Sequence, residues 1–167
     1  MSAPLHPIPS ELVVDTSVVV AWAFKEQGRV ASAESIINQV QAGSGRAYVP
    51  ELLWAEFQQA AERKLHANWV ARDRLGLSQP HVESAYQSML QLSVGWLMML
   101  PALAEPAVRD EAWQLRLALG IESYDAHFVA LALLYDVELW TFDQRVCSLA
   151  SADARVRHSI KLVGVDV

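Results

Sequence analysis

Short apolar runs alternate along this chain with longer segments of helical period, and that alternation restricts the fold more than any other feature. "LVVD" (12–15) has the look of a buried parallel strand. "VASAESIINQVQAGSG" reads as a helix closed by glycine at its C-terminal end. "RAYVP" is a second strand, stopped by Pro50. "ELLWAEFQQAAERKLH" then takes helical spacing, with Leu53, Trp54, Phe57, Ala60, Ala61 and Leu65 on one side. "LGLSQP" is a break, "HVESAYQSMLQL" a helix, and "GWLMML" a short strand ending at Pro101. The helices "EPAVRDEAWQLRLALG" and "SYDAHFVALALLYD", the strand "VELWTF" and the apolar segment "IKLVGV" complete the pattern. Such alternation predicts an α/β domain around a mainly parallel sheet of four to five strands. With no repeat or linker to divide it, residues 1–167 are expected to form a single domain.

Composition sets the outer bounds. A chain of 167 residues that is 53% hydrophobic has ample material for a core, and Trp54, Trp96, Trp113 and Trp140 fall in patterned segments expected to supply it. Trp22, Phe24 and Trp69 fall near element ends, where core edge or interaction surface are both open readings. Cys147 is the one cysteine, so an intrachain disulfide is impossible and a reducing compartment is expected. "MSAPLHPIPS" is a poor signal peptide, and "VGWLMMLPALA" is too short to span a bilayer. The expectation is a cytoplasmic protein with no membrane partner. A net charge of −6 argues against coating nucleic acid by bulk electrostatics. A nuclease stays open, because local arginines and bound metal can reverse the field at one site.

Four acids are placed in a way that draws chemistry. Ligands of a parallel sheet gather at the carboxyl ends of its strands. Asp15 closes "LVVD" and Asp143 follows "VELWTF", so both belong to that edge. Asp125 lies in the first turn of its helix, whose positive end favours a carboxylate. It adjoins an apolar stripe of Tyr124, Phe128, Leu131, Ala132 and Tyr135. Glu56 shares a face with Leu52, Leu53 and Ala60, unlike Glu62, which lines up with Gln58 and Gln59 as a solvated acid does. Taken singly, Asp15 and Asp143 are better read as structural, as helix caps or turn residues. Taken together, four converging carboxylates raise one another's pKa, a penalty that Mg²⁺ or Mn²⁺ removes.

With these positions located, the chain resembles PIN-domain ribonucleases, most closely the VapC-type toxins of bacterial toxin–antitoxin pairs. "VVDTSVVVAW", "VPELLWAEFQQAA" and "YDAHFVALALLYDVELWTFDQRV" carry the likeness; from Arg72 to Arg109 it is one of layout alone. The resemblance implies a three-layer α/β/α domain and an acidic site of Asp15, Glu56, Asp125 and Asp143 that positions one or two Mg²⁺ or Mn²⁺ ions, directly or through water. It also implies hydroxyls at Thr16 or Ser17 and at Thr141 that orient these acids, with Glu122 a marginal addition. The implied reaction is cleavage of RNA by in-line attack of metal-activated water. The implied partners are an RNA substrate, a second copy in a homodimer, and a VapB-like antitoxin whose arginine pairs with the acids. An RNA-processing nuclease without an antitoxin, and a non-catalytic module that docks a basic peptide on its acids, are the competing readings.

Other signals carry less. "GSGRAY" follows a helix and precedes a strand, the wrong order for a phosphate loop. Walker, Gly-x-Ser-x-Gly and paired-cysteine patterns do not occur. His6, His66, His81, His127 and His158 lack ligand spacing and are expected at the surface or partly packed. The basic stretches "ERKLHANWVARDR" and "DARVRHSIK" are read as solvated faces. Arg145, just after Asp143, is the first basic residue expected to contact phosphate.

Overall fold

The structure, a computed structural model, describes residues 8–43, 45–70 and 78–163, with backbone alone over 66–70. His6, residues 71–74 of "ERKLHANWVARDR", and the side chains of His66 and Trp69 therefore lie outside the described residues. In chain order the elements are β1 (Glu11–Val14), α1 (Thr16–Ala23), α2 (Val30–Gln41), β2 (Arg46–Pro50), α3 (Leu52–Val70) and α4 (Gln79–Gly95). There follow β3 (Leu97–Leu100), α5 (Pro106–Leu119), α6 (Ser123–Tyr135), β4 (Glu138–Thr141), α7 (Gln144–Ala150) and β5 (Ile160–Leu162).

The five strands form one sheet in the order β3-β2-β1-β4-β5, with every pair parallel. Parallel strands need covering on both faces, and two groups of helices supply the cover. On the way from β1 to β3 the chain builds α1 to α4, among which α1 touches α2, α3 and α4. Between β3 and β4 it builds α5 and α6, which pack on each other while α6 lies on β1, β2 and β4. This is the expected three-layer α/β/α arrangement. Central β1 shows the result most clearly: Leu12, Val13 and Val14 are fully buried. The buried apolar side chains form one continuous cluster. Among the described residues, no single helix is long and apolar enough to cross a membrane.

Local chemistry sets several boundaries. Gly120 ends α5 in the left-handed conformation (φ 69°), which a residue without Cβ adopts freely, and so permits the short turn into α6. Pro106 opens α5, where a missing N–H costs nothing. Asp15 and Asp143 cap α1 and α7 by accepting hydrogen bonds from the first-turn amides. Neither of these two short helices is anticipated by the sequence pattern. α1 is nearly all apolar and reads as a continuation of β1, and α7 has only seven residues.

Three sequence expectations are corrected. Trp96 and Trp113 are about half exposed rather than in the core: Trp96 caps the end of α4, and Trp113 carries Arg116 over its ring. His127 is buried, with Nδ1 2.7 Å from the Ser123 carbonyl one turn back. The apolar stripe on α6 is also broader than expected. Every residue from Ala126 to Ala132 is buried, because α5 and the sheet enclose the helix, whereas Tyr124 and Tyr135 at its ends are exposed.

Leu131 sits fully buried in α6, and Leu117 on α5 is mostly exposed. Leu131→Ala is expected to cost about 2–5 kcal/mol in urea unfolding, and Leu117→Ala less than about 0.5 kcal/mol. Equal losses would contradict the layer arrangement.

Candidate active site

The strand order places a topological switch point at β1. From there the chain first winds outward through β2 and β3, then returns to the opposite side as β4 and β5. A crevice outside the carboxyl ends of the strands at such a point is where open parallel sheets bind ligands. A cleft of about 550 Å³ lies there, and Asp15, Glu56, Asp125 and Asp143 all line it.

Each acid is delivered by a different device. Asp15 follows β1 directly, held by its amide to the Trp140 carbonyl of β4 at 3.1 Å. Asp143 stands two residues beyond the end of β4 as the cap of α7; its Oδ1 accepts from the amides of Arg145 (2.7 Å) and Val146 (3.1 Å). Asp125 comes from the first turn of α6 and Glu56 from the second turn of α3. Glu122, which the sequence left marginal, caps α6 by position, lines the same cleft and is bridged at its rim by Arg145. Sequence reading missed the cleft's other charged members, Glu26, Arg29 and Arg63. Arg63 was in fact signalled, since Glu56, Gln59, Ala60 and Arg63 follow i, i+3, i+4, i+7 spacing on α3.

Hydroxyls fix the buried acids. Asp15 is almost fully buried, and its Oδ2 accepts from the hydroxyls of Ser17 (2.5 Å) and Thr141 (2.6 Å). Both hydroxyls also receive backbone amides, Ser17 from Phe142 (3.0 Å) and Thr141 from Asp143 (2.9 Å). The turn after β4 is thereby tied to the end of β1 through two side chains. The Thr16 hydroxyl donates to Glu56 Oε2. Second oxygens on Asp15, Glu56 and Asp143 carry no hydrogen bond among the described residues.

None of the four acids has an ion-pair partner among the described residues. The consequence is electrostatic. Burial pushes the Asp15 carboxyl up from its ordinary value, against the lowering effect of its hydroxyl donors. Burial lifts Glu56 to about 7, opposed by the Thr16 hydrogen bond and reinforced by the charges of Asp15 and Asp125. Asp125 also rises to about 7, through burial and the charges of Asp15, Asp143 and Glu122. Among the described residues, no three His, Cys, Asp or Glu side chains approach closely enough to enclose one ion by themselves.

These shifts fix a pH dependence. Unfolded, Glu56 and Asp125 titrate near 4.5 and 3.8; folded, near 7. Between those values the native state holds more protons, so these groups make stability fall as pH rises to about 7. Glu56→Gln is therefore expected to stabilise the protein at pH 8 by roughly 1–2 kcal/mol, allowing for solvent screening at this open site. Near pH 4 it should change little. Urea unfolding in metal-free buffer at both pH values checks this; destabilisation at pH 8 would contradict the repulsion described.

Comparison with protein-family models matches the PIN domain to residues 12–152, which include all four acids and the three hydroxyls. Comparison with curated proteins gives no match. PIN domains are generally nucleases, and they typically use divalent metals. With the match covering most of its length and the parallel three-layer fold in agreement, this chain belongs to the PIN domain family.

Proposed function

We propose that this protein is a Mg²⁺- or Mn²⁺-dependent endoribonuclease and the toxin of a VapBC-type toxin–antitoxin pair. One observation carries the hydrolytic part: four carboxylates from four chain segments line one cleft, and no basic side chain among the described residues pairs with them. Such a set is repulsive as it stands. A hard cation with oxygen preference relieves that repulsion, and the donor chemistry fits one. Mg²⁺ commonly binds through one or two carboxylates and keeps several waters.

Asp15, Glu56, Asp125 and Asp143 would hold the ion, directly or through water. Bound there, it would neutralise phosphodiester charge and lower the pKa of water. The chain's own residues do the positioning. Ser17 and Thr141 fix Asp15 and partly offset the cost of its burial, Thr16 does so for Glu56, and the α7 amides orient Asp143. Hydrolysis joins the water oxygen to phosphorus as the opposite P–O ester bond breaks. One water proton leaves to solvent and the departing oxygen gains one. The toxin assignment, the antitoxin partner and a homodimer are supported by the resemblance of "VVDTSVVVAW" and "YDAHFVALALLYDVELWTFDQRV" to VapC-type chains.

Purified protein with Mn²⁺ is expected to cut single-stranded RNA and to stop on addition of EDTA. Asp125→Asn should slow cleavage at least ~100-fold, a loss of about 2.7 kcal/mol of transition-state stabilisation, with an unchanged far-UV circular dichroism spectrum. Wild-type protein that cuts no RNA, or an Asp125→Asn variant that cuts normally, would overturn the nuclease reading. Expression should arrest growth and co-expression of the cognate antitoxin should restore it; RNA cleavage without growth arrest would favour an RNA-processing role.

A further inference from the structure

Besides its acids, the cleft is lined by two basic side chains, Arg29 and Arg63, with Arg145 reaching its rim through Glu122. Their situations differ. Arg145 is bridged to Glu122, so the basic residue that the sequence favoured for phosphate contact is already engaged. Arg29 pairs with Glu26 at 3.6 Å and lies 5.3 Å from the centre of the Phe142 ring. Lys64, the next cation along α3, is taken by Glu26 at 2.6 Å and sits over Phe24. Arg63 is exposed and makes neither ion pair nor hydrogen bond among the described residues.

Position completes the case. Arg63 stands seven residues after Glu56, two helical turns or about 10 Å along the axis, on the face that lines the cleft. Gln59 and Ala60 occupy the same face between them. The guanidinium makes no ion pair with the acids, and its charge lowers the Glu56 carboxyl less than burial and the neighbouring acids raise it. It lies within reach of a strand that passes over them. Guanidinium also matches phosphate geometry in a way that ammonium does not.

We infer that Arg63 is the phosphate-gripping residue of the cleft, binding the backbone of single-stranded RNA on the α3 side of the scissile bond. This assignment rests on the nuclease reading above and adds to it a direction: the strand runs along α3, from Glu56 toward Arg63. It also gives a chain of net charge −6 a cation at its acidic cleft that no acid among the described residues pairs with.

The test measures cleavage kinetics with Mn²⁺, and anisotropy of a fluorescent single-stranded RNA 12-mer on Asp125→Asn protein, with and without Arg63→Ala, across salt concentrations. Arg63→Ala is expected to raise KM about tenfold with kcat within about twofold, the pattern of lost uniform binding. It should also make the log–log salt slope shallower by about 0.7, one phosphate contact to a single strand. Arg63→Lys should recover most of the slope, and Arg116→Ala, on α5 outside the cleft, should leave it unchanged. If wild-type protein cuts RNA but Arg63→Ala keeps KM and salt slope, the grip is overturned and the nuclease reading stands. If Arg63→Ala moves only the acid limb of the pH profile, Arg63 acts on Glu56 and the grip is likewise overturned. If wild-type protein neither binds nor cuts RNA, both readings fall together.

Discussion

A buried carboxylate at the seam between β1 and β4 is the constraint around which the functional edge is organised. Asp15 sits where the sheet reverses its winding, and its Oδ2 is shared by the hydroxyls of Ser17 and Thr141. Those hydroxyls take amides from Phe142 and Asp143 in return. Both hydroxyls in this arc thus donate and accept, as burial demands of polar groups, while the second oxygen of Asp15 stays without a hydrogen bond among the described residues. The arc also fixes where α7 begins, and with it the place of Asp143.

Around that seam the molecule trades local stability for a concentration of negative charge. Glu56 and Asp125 are pushed to about 7 by burial and by the charges of neighbouring acids, an effect that Arg63 and Arg145 oppose only in part and without an ion pair to either. Strain of this kind, held in a cleft at the ligand-binding end of a parallel sheet, is a mark of chemistry more than of architecture. Membership of the PIN domain family is consistent with it.

Much of this was legible in the sequence, for identifiable reasons. Strands β1 to β4 announce themselves as short apolar runs bounded by Pro50, Pro101 or a charged residue, and the parallel arrangement follows from the helices between them. The four acids were legible because each stands at a strand end or near a helix start. What stayed hidden depends on tertiary partners. α1 is apolar throughout, so no period separates it from β1. Trp96 stands four residues after buried Leu92 and Trp113 next to buried Ala112, yet both are about half exposed, since burial depends on what packs opposite. The ties of Arg145 to Glu122 and of Lys64 to Glu26 join residues 23 and 38 positions apart. No local pattern reveals which cation a carboxylate will capture.

The bond between Thr141 and Asp15 spans 126 positions, and β1 finds its β4 neighbour only after four-fifths of the chain is in hand. During synthesis, then, the early strand and helices emerge with their seam still open. Long-range parallel pairing of this sort forms late and slowly. The acidic pocket is consequently incomplete until β4 and α7, which bring Thr141 and Asp143, have been made.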